Sequence, residues 1–307
     1  MSGTDRDSAI PRFRVFGFRS GFVAIVGRPN VGKSALLNRL AGQRLAIVTP
    51  VPQTTRSRLQ GIVTLPTAQL ILIDTPGFHE PRHRLGARMV EDVRAAAADA
   101  DVILWVIDAS VPPTPDDELV AAVLRMVRAP IVLALNKVDR LPRGQPPAPP
   151  AMGWMPVVSA LAPVSAATGA GGAALVETLI GFLPEGPQFF PPEMATDQQE
   201  RRLVAEAIRE QAMLLTREEV PHGIAVEIEE LTPREGQDLI YIRAVVFVER
   251  DAHRKILIGA GGRMLREIGR RARARIESLL GARVYLDLWV KVAKDWRTKD
   301  ALIERLV

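Results

Sequence analysis

The sequence predicts an α/β chain in two unequal parts: a mostly parallel sheet with helices on both faces, followed by a smaller α+β module. Three observations carry this. Short apolar runs separated by long crossovers recur up to about residue 183, the pattern of parallel strands. The stretch 183–192 then places four prolines in ten residues. Beyond it the elements follow a new order, α-β-β-α-α-β, with no repeat of the first part.

Residues 1–20 are polar and then mixed Phe/Arg, and read as an extension. The first part spans 21–183, with its clearest strands at 22–26, 68–73, 102–107 and 131–135. Segments 141–150 and 166–172 are too rich in Pro or Gly for regular structure and read as loops. A linker, 184–195, leads to the second module, 196–307. There a helix at 196–216 precedes a strand bearing Ile224, Val226 and Ile228 on one face, and a second strand near 239–248. A Gly-rich turn at 259–262 opens a helix to about residue 280. In the last strand Val284, Leu286, Leu288, Val290 and Val292 alternate with Tyr285, Asp287, Trp289 and Lys291, so one face is buried and the other wet.

Length agrees with two domains, since 307 residues is about twice the roughly 150 of a typical domain. Forty Lys and Arg against 35 Asp and Glu give a net charge of +5, which names no partner unless it is concentrated. The absence of cysteine excludes disulfide scaffolds, Cys-ligated zinc or iron–sulfur centres and thiol nucleophiles. No apolar run approaches the 18 residues of a membrane span, and the start lacks a signal-peptide core. A cytoplasmic protein is expected.

The run Gly27, Arg28, Pro29, Asn30, Val31, Gly32, Lys33, Ser34 is G-x-x-x-x-G-K-S between a strand and an apolar helix. In such a loop backbone N–H groups cradle phosphates, Lys33 neutralises β/γ charge and the Ser34 hydroxyl ligates Mg2+. Asp74, Thr75, Pro76 and Gly77 end a second strand, where the carboxylate can hold the Mg2+ shell and the Gly77 N–H can meet a γ-phosphate. Asn136, Lys137, Val138 and Asp139 end a third. Asp139 there can accept from guanine N1–H and the 2-amino group, a donor pair adenine lacks, so GTP/GDP is inferred. Gln53, Thr54, Thr55 and Arg56 lie between the phosphate loop and Asp74. Either Thr could complete Mg2+ coordination when a γ-phosphate is present. For a backbone contact to guanine O6 there are two pairs, Ser159-Ala160 and Ser165-Ala166, and Thr168-Gly169 after the latter favours it. Phe78 stands where signalling GTPases carry a water-orienting glutamine, which predicts slow intrinsic hydrolysis.

Nine Lys and Arg against Glu267 and Glu277 in residues 254–283 exceed the whole chain's surplus. Arg263, Arg266, Arg270 and Arg273 recur at helical spacing, opposite Leu265, Ile268, Ala272, Ile276 and Leu279. The turn Gly259, Ala260, Gly261, Gly262 is G-x-x-G at a helix N-terminus, where the backbone of single-stranded nucleic acid can approach closely. With Lys255 and Ile258 before it, this reads as a type II KH module. RNA is expected rather than DNA, because no element resembles a major-groove recognition helix. Trp289 and Trp296 are read as core or rim packing ahead of base stacking.

A phosphate-loop GTPase domain with Phe after Asp-Thr-Pro-Gly, followed by one KH module, resembles the Era family of ribosome-assembly GTPases. The resemblance runs from about residue 21 to 306 and rests on Gly27 to Ser34, Gln53 to Arg56, Asp74 to Phe78, Asn136 to Asp139, the Leu183-Pro-Glu-Gly-Pro junction, residues 225–230, Gly259 to Gly262 and residues 289–297. It implies a GTP-dependent factor that binds the 3′ end of 16S ribosomal RNA in 30S subunit precursors, a monomer, with peripheral contact to the inner membrane face. Two departures stand out: Ala260 where the family commonly has Lys, and a Pro-rich segment before the Ser-Ala motif. An alternative is a nucleotide-gated membrane-surface adaptor with incidental RNA binding. A tRNA-modifying GTPase is disfavoured, since such relatives use a C-terminal Cys.

Overall fold

The computed structural model describes residues 17–78, 84–142, 145–149, 155–234 and 238–307. In the first part β1 (Arg19–Val26), β2 (Leu59–Leu65), β3 (Ala68–Asp74), β4 (Val102–Asp108), β5 (Ile131–Asn136) and β6 (Ala160–Pro163) form a sheet ordered β2-β3-β1-β4-β5-β6. All neighbours are parallel except β2, which pairs antiparallel with β3. Helices α1 (Lys33–Ala41) and α4 (Gly172–Phe182) cover one face, and α2 (Arg84–Asp99) and α3 (Pro115–Leu124) the other. β3, β4 and β5 are buried nearly throughout, which is why their sequences are continuous apolar runs and not alternating ones.

Two strands escape the sequence reading. In β2 the run is broken by Gln60, Gly61 and Thr64; the turn at 66–67 folds it onto β3 in full register. β6 is four residues of Ala, Leu and Pro whose order comes from pairing with β5. At the other end, Arg19 and Ser20, read as the close of an extension, pair with Ala68 and Gln69. The Arg19 guanidinium donates to the Gly181 and Leu183 carbonyls at 3.0 and 2.9 Å, and Ser20 Oγ to the Pro187 carbonyl at 2.7 Å.

The proline-rich connection is strapped to the first part. Gln69 Oε1 accepts from Phe189 and Phe190 N–H at 2.8 and 3.0 Å and its Nε2 donates back to the Phe190 carbonyl. The Phe189 ring lies 5.6 Å from that of Phe22. Ile62 N–H donates to the Ala195 carbonyl at 2.8 Å, and Thr196 Oγ1 donates to the Gln60 carbonyl at 2.6 Å.

The second module comprises α5 (Glu200–Leu215), β7 (Ala225–Pro233), β8 (Leu239–Val248), α6 (Asp251–Ile258), α7 (Arg263–Leu280), β9 (Arg283–Val292) and α8 (Asp300–Leu306). The first six follow the α-β-β-α-α-β order; α8 is additional. β7 and β8 are antiparallel, β8 and β9 parallel. Helices α5 and α7 pack on one face of this sheet. On the other, Trp296, Ile303 and Leu306 cover Val245 and Phe247, joined by Leu85 and Met89 of α2. Trp296 is fully buried, and its indole N–H donates to the Gly223 carbonyl at 2.9 Å. The ring is a core group, which removes it from any base-stacking role. Trp296→Ala is expected to destabilise the second module by roughly 3–5 kcal/mol, read as a lower urea midpoint, with a smaller loss for Trp296→Phe.

Candidate functional site

β1 delivers the chain to Gly27, and a loop at the sheet's carboxyl edge leads into α1. Asn30 and Gly32 adopt φ of 63° and 100°. A side chain on Gly32 would bring Cβ within 2.4 Å of Asn136 Nδ2, and one on Gly77 would reach 2.8 Å from Pro29. Close backbone approach requires both glycines. Arg28 turns away to Asp117 of α3, its Nε 3.0 Å from the carboxylate. Lys33 Nζ curls back to the carbonyls of Gly27 and Arg28 at 2.9 and 3.0 Å. Burial lowers this ammonium to about 8, against the pull of Asp74.

Asp74 is fully buried at the end of β3, and burial raises its carboxyl to about 6 although Lys33, Ser34 and Thr55 favour the charge. Its Oδ2 accepts from Ser34 Oγ at 2.6 Å and from Thr55 Oγ1 at 3.3 Å, and the two hydroxyls lie 2.9 Å apart. Oδ1 is buried with no hydrogen-bond partner. Three hard oxygen donors around an unsatisfied carboxylate oxygen suit Mg2+. Thr54 stands outside the cluster: its hydroxyl bonds Thr49 Oγ1 and the Val51 carbonyl, both at 2.6 Å. Thr55 is therefore the threonine positioned for metal, and Thr54 is removed from the metal and catalytic set. Thr75 donates to the Ile25 carbonyl at 2.8 Å, and Phe78 N–H donates to the Gly27 carbonyl at 3.2 Å. The Phe78 ring is buried in the core on the α2/α3 side, so it offers nothing to water at the phosphate edge.

At the far end of the site Asn136 Nδ2 donates to the Val31 carbonyl at 2.7 Å. Lys137, at φ 66°, reaches the Asn30 carbonyl at 2.7 Å and Asp108 at 2.6 Å. Val138 N–H donates to the Val164 carbonyl at 3.3 Å. Asp139 is exposed, and one of its oxygens accepts from Ser165 Oγ at 2.5 Å. Ser165-Ala166 thus lies beside Asn136 and Asp139, whereas Ser159, bonded to the Ile131 carbonyl, sits at the opposite end of β5. The Ala166 N–H donates to Asn136 Oδ1 at 3.0 Å, which ties the Ser165-Ala166 pair to the strand end that carries Asn136.

In the second module the G-x-x-G turn holds Gly259, Gly261 and Gly262 at φ of 69°, 58° and 76°. A Cβ on Gly259 would come within 2.8 Å of Met264. Ala260 is exposed in the short turn that follows, and Ile258 is half-buried beside it. Lys255 lies 3.5 Å from Asp251 in open solvent. Arg263, Arg266, Arg270 and Arg273 are all exposed along α7. They are not equally free: Arg263 Nε donates to the Ala260 carbonyl at 3.3 Å, and Glu267 binds both Arg270 and Arg271 at 2.7 and 2.6 Å. Those bonds hold Glu267 down to about 2.

What the sequence reading missed is how the segment before β2 is gripped. Glu210 of α5, fully buried, accepts from Val48 N–H at 2.9 Å and from Arg44 at 2.8 Å. Arg275 of α7 lies 3.6 Å from the same carboxylate and donates to the Arg44 carbonyl at 3.0 Å. Arg209 donates to the Thr54 carbonyl at 2.5 Å. Arg56, which follows the two threonines, is buried in the second module, donating to the Ile224 and His222 carbonyls at 2.5 and 2.9 Å with its guanidinium 5.3 Å from the Trp296 ring centre. The available signal was a charged pair, Arg209-Glu210, beside the apolar stripe of Val204, Ala207, Ile208 and Ala212.

The comparisons agree with this geometry. Residues 22–137 match the family model described as 50S ribosome-binding GTPase, and residues 219–297 that of the KH domain. GTPase Era of Halothermothrix orenii is 45% identical over 294 residues, 94% of this chain and 98% of that protein. GTPase Era of Carboxydothermus hydrogenoformans is also 45% identical, over 288 residues, 93% of this chain and 96% of the relative. Among solved structures, Era in complex with MgGDPNP and nucleotides 1506–1542 of 16S ribosomal RNA superposes with a TM-score of 0.88 at 40% identity, covering 94% of this chain and 98% of that one. A variant of Aquifex aeolicus Era bound to GDP and AlF4− gives 0.87 at 40% identity, covering 94% and 99%.

The unfolded chain releases the Asp74 proton near its ordinary value, the folded one near 6. Apo stability therefore falls as pH rises between those values and stays lowered above. Asp74→Asn is expected to raise the thermal midpoint of nucleotide-free protein at pH 7.5 by the equivalent of about 1–3 kcal/mol. The gain should fade as pH falls towards 4, while Mg2+-dependent nucleotide binding, followed by calorimetry, is lost.

Proposed function

The chain belongs to the Era family of GTPases, and we propose that it works as a GTP switch that binds 16S ribosomal RNA near its 3′ end and assists assembly of the 30S subunit. Its own residues supply the parts. The loop from Gly27 to Gly32 wraps the phosphates, and Lys33 meets their charge. Ser34, Thr55 and Asp74 would hold Mg2+, which when bound neutralises charge on the β- and γ-phosphate oxygens. Gly77 brings its backbone against the loop at Pro29, where its N–H can meet a γ-phosphate. Asp139, oriented by Ser165, accepts from guanine. Phe78, buried in the core, has no group to orient the attacking water, so hydrolysis is slow until a partner completes the site.

One observation carries the switch reading. The segment whose Thr55 reaches Ser34 and Asp74 is the same segment that α5 and α7 hold through Val48, Arg44 and Thr54, and that the approach to β7 holds through Arg56. A γ-phosphate that pins Thr55, and a diphosphate that does not, have different interaction free energies with the two arrangements of this segment. α7 also carries the G-x-x-G turn at its start, so the RNA module and the nucleotide site share one mechanical element.

Three measurements test the reading. Asp139→Asn should weaken GTP binding at least tenfold and raise affinity for xanthine nucleotides, the exchange expected when an acceptor pair becomes a donor–acceptor pair. Unstimulated GTP turnover should stay below about one per second. Filter binding to single-stranded fragments of the 16S 3′ end should differ between GTP-analogue and GDP states, and Arg266/Arg270/Arg273→Glu should lower affinity in both by at least tenfold. Unchanged RNA affinity in that variant, with lost liposome binding, would favour the membrane-surface adaptor.

A further inference from the structure

Tyr285 and Trp289 on β9 are 59% and 56% exposed. β9 pairs only with β8, so its outer edge is open among the described strands. Side chains alternate along a strand: Leu286, Leu288 and Val290 join the core under α5 and α7, and Tyr285, Asp287 and Trp289 face the other way. Directly across on β8, the Tyr241 ring stacks on Tyr285 at 5.8 Å and 14°. The Arg234 and Arg243 guanidiniums lie 4.8 and 5.7 Å from Tyr241. Asp287 fixes the group, accepting from the Tyr241 hydroxyl at 3.2 Å and the Trp289 indole N–H at 3.1 Å, with Arg243 at 3.5 Å. Its charge is thereby met; Trp289 is held by this bond and Tyr285 by its stack on the buried Tyr241, and each keeps more than half of its surface in solvent. The cover provided by Trp296 and α8 lies over Val245 and Phe247, level with Trp289 and short of Tyr241 and Tyr285.

We propose that Tyr285 and Trp289 form a base-stacking subsite for single-stranded RNA, continuous over the edge of β9 with the groove at the G-x-x-G turn. The inference rests on the RNA-binding reading above. Four residues of strand place the two rings about 13 Å apart at ~3.3 Å per residue, and aromatic side chains on an open sheet face commonly stack two or three bases. The exposed Arg234, over the Tyr241 ring that Tyr285 stacks on, provides a cation for the backbone, the combination that binds single strands without base-specific readout. Continuity follows from packing: Gly269, two turns into α7, lies against Leu288, where an added Cβ would be 3.4 Å from its Cδ1. The G-x-x-G helix and the aromatic pair thus occupy opposite faces of one edge strand, and a strand of RNA leaving the first meets the second.

The test uses the full chain and fluorescein-labelled single-stranded oligonucleotides from the 16S 3′ end in a length series. Wild type should gain affinity in two stages as length increases. Trp289→Ala should bind the shortest binding oligonucleotide as wild type does and lose about 5- to 100-fold for the longer ones, with Trp289→Phe recovering most of the loss and unchanged thermal midpoints. Tyr285→Ala should act in the same direction. Equal affinity of wild type and Trp289→Ala at every length overturns the proposal and leaves the face to a protein partner. Failure of wild type to bind any length overturns the RNA-binding reading itself, and this inference with it.

Discussion

The buried carboxylate of Glu210 is the interaction on which the arrangement of the two modules depends. An ionised group with no access to water is tolerated only if its lone pairs are filled and its charge is met. Here the partners come from three places: Arg44 and the Val48 N–H from the first module, Arg275 from α7, and the Gln211 amide from α5 itself. Separating the modules would leave that charge to Arg275 and the Gln211 amide. Ile47 follows the same logic in apolar terms, its side chain sitting in the second module's core with Val204, Ala207 and Ile208. Residues 44–57 are chemically part of both domains although they are sequentially part of one.

The nucleotide end obeys a different constraint. Lys33 and Asp74 are buried together, each displaced from its ordinary pKa by loss of water, and Asp74 keeps one oxygen unsatisfied. Such a pair is unfavourable for folding and favourable for binding, because polyphosphate and a divalent cation provide what burial took away. Asp139 stands at the other extreme, exposed and aimed by a single hydroxyl. On the proposed reading, phosphate affinity is built into the buried half of the site, and base choice into the solvent-accessible half.

Much of this was legible in the sequence because it depends on local spacing. The Lys33 loop, Asp74 and Asn136 to Asp139 each sit at the carboxyl end of an apolar run, and parallel strands bring such ends together. The Ser165-Ala166 pair was recognisable from the turn residues after it. Periodicity reports whether a side chain is buried, not what it touches, so the choice between Thr54 and Thr55 awaited the fold. Arg56 reads as a solvated switch residue until Trp296, 240 positions later, is seen beneath it. β2 and β6 were hidden for a related reason: their order comes from a neighbouring strand and not from their own composition.

The strapped connection sets a limit on travel. Thr196 is bonded to Gln60 and α5 begins at Glu200, which leaves Asp197, Gln198 and Gln199 as slack. At about 3.5 Å per residue the start of α5 can move no more than roughly 14 Å from its anchor, even with every grip on residues 44–57 released. The second module is therefore leashed at one corner. Whatever the nucleotide state does to it, the rest of the module can move only on an arc about that corner, and re-docking is a return over a short path and not a search.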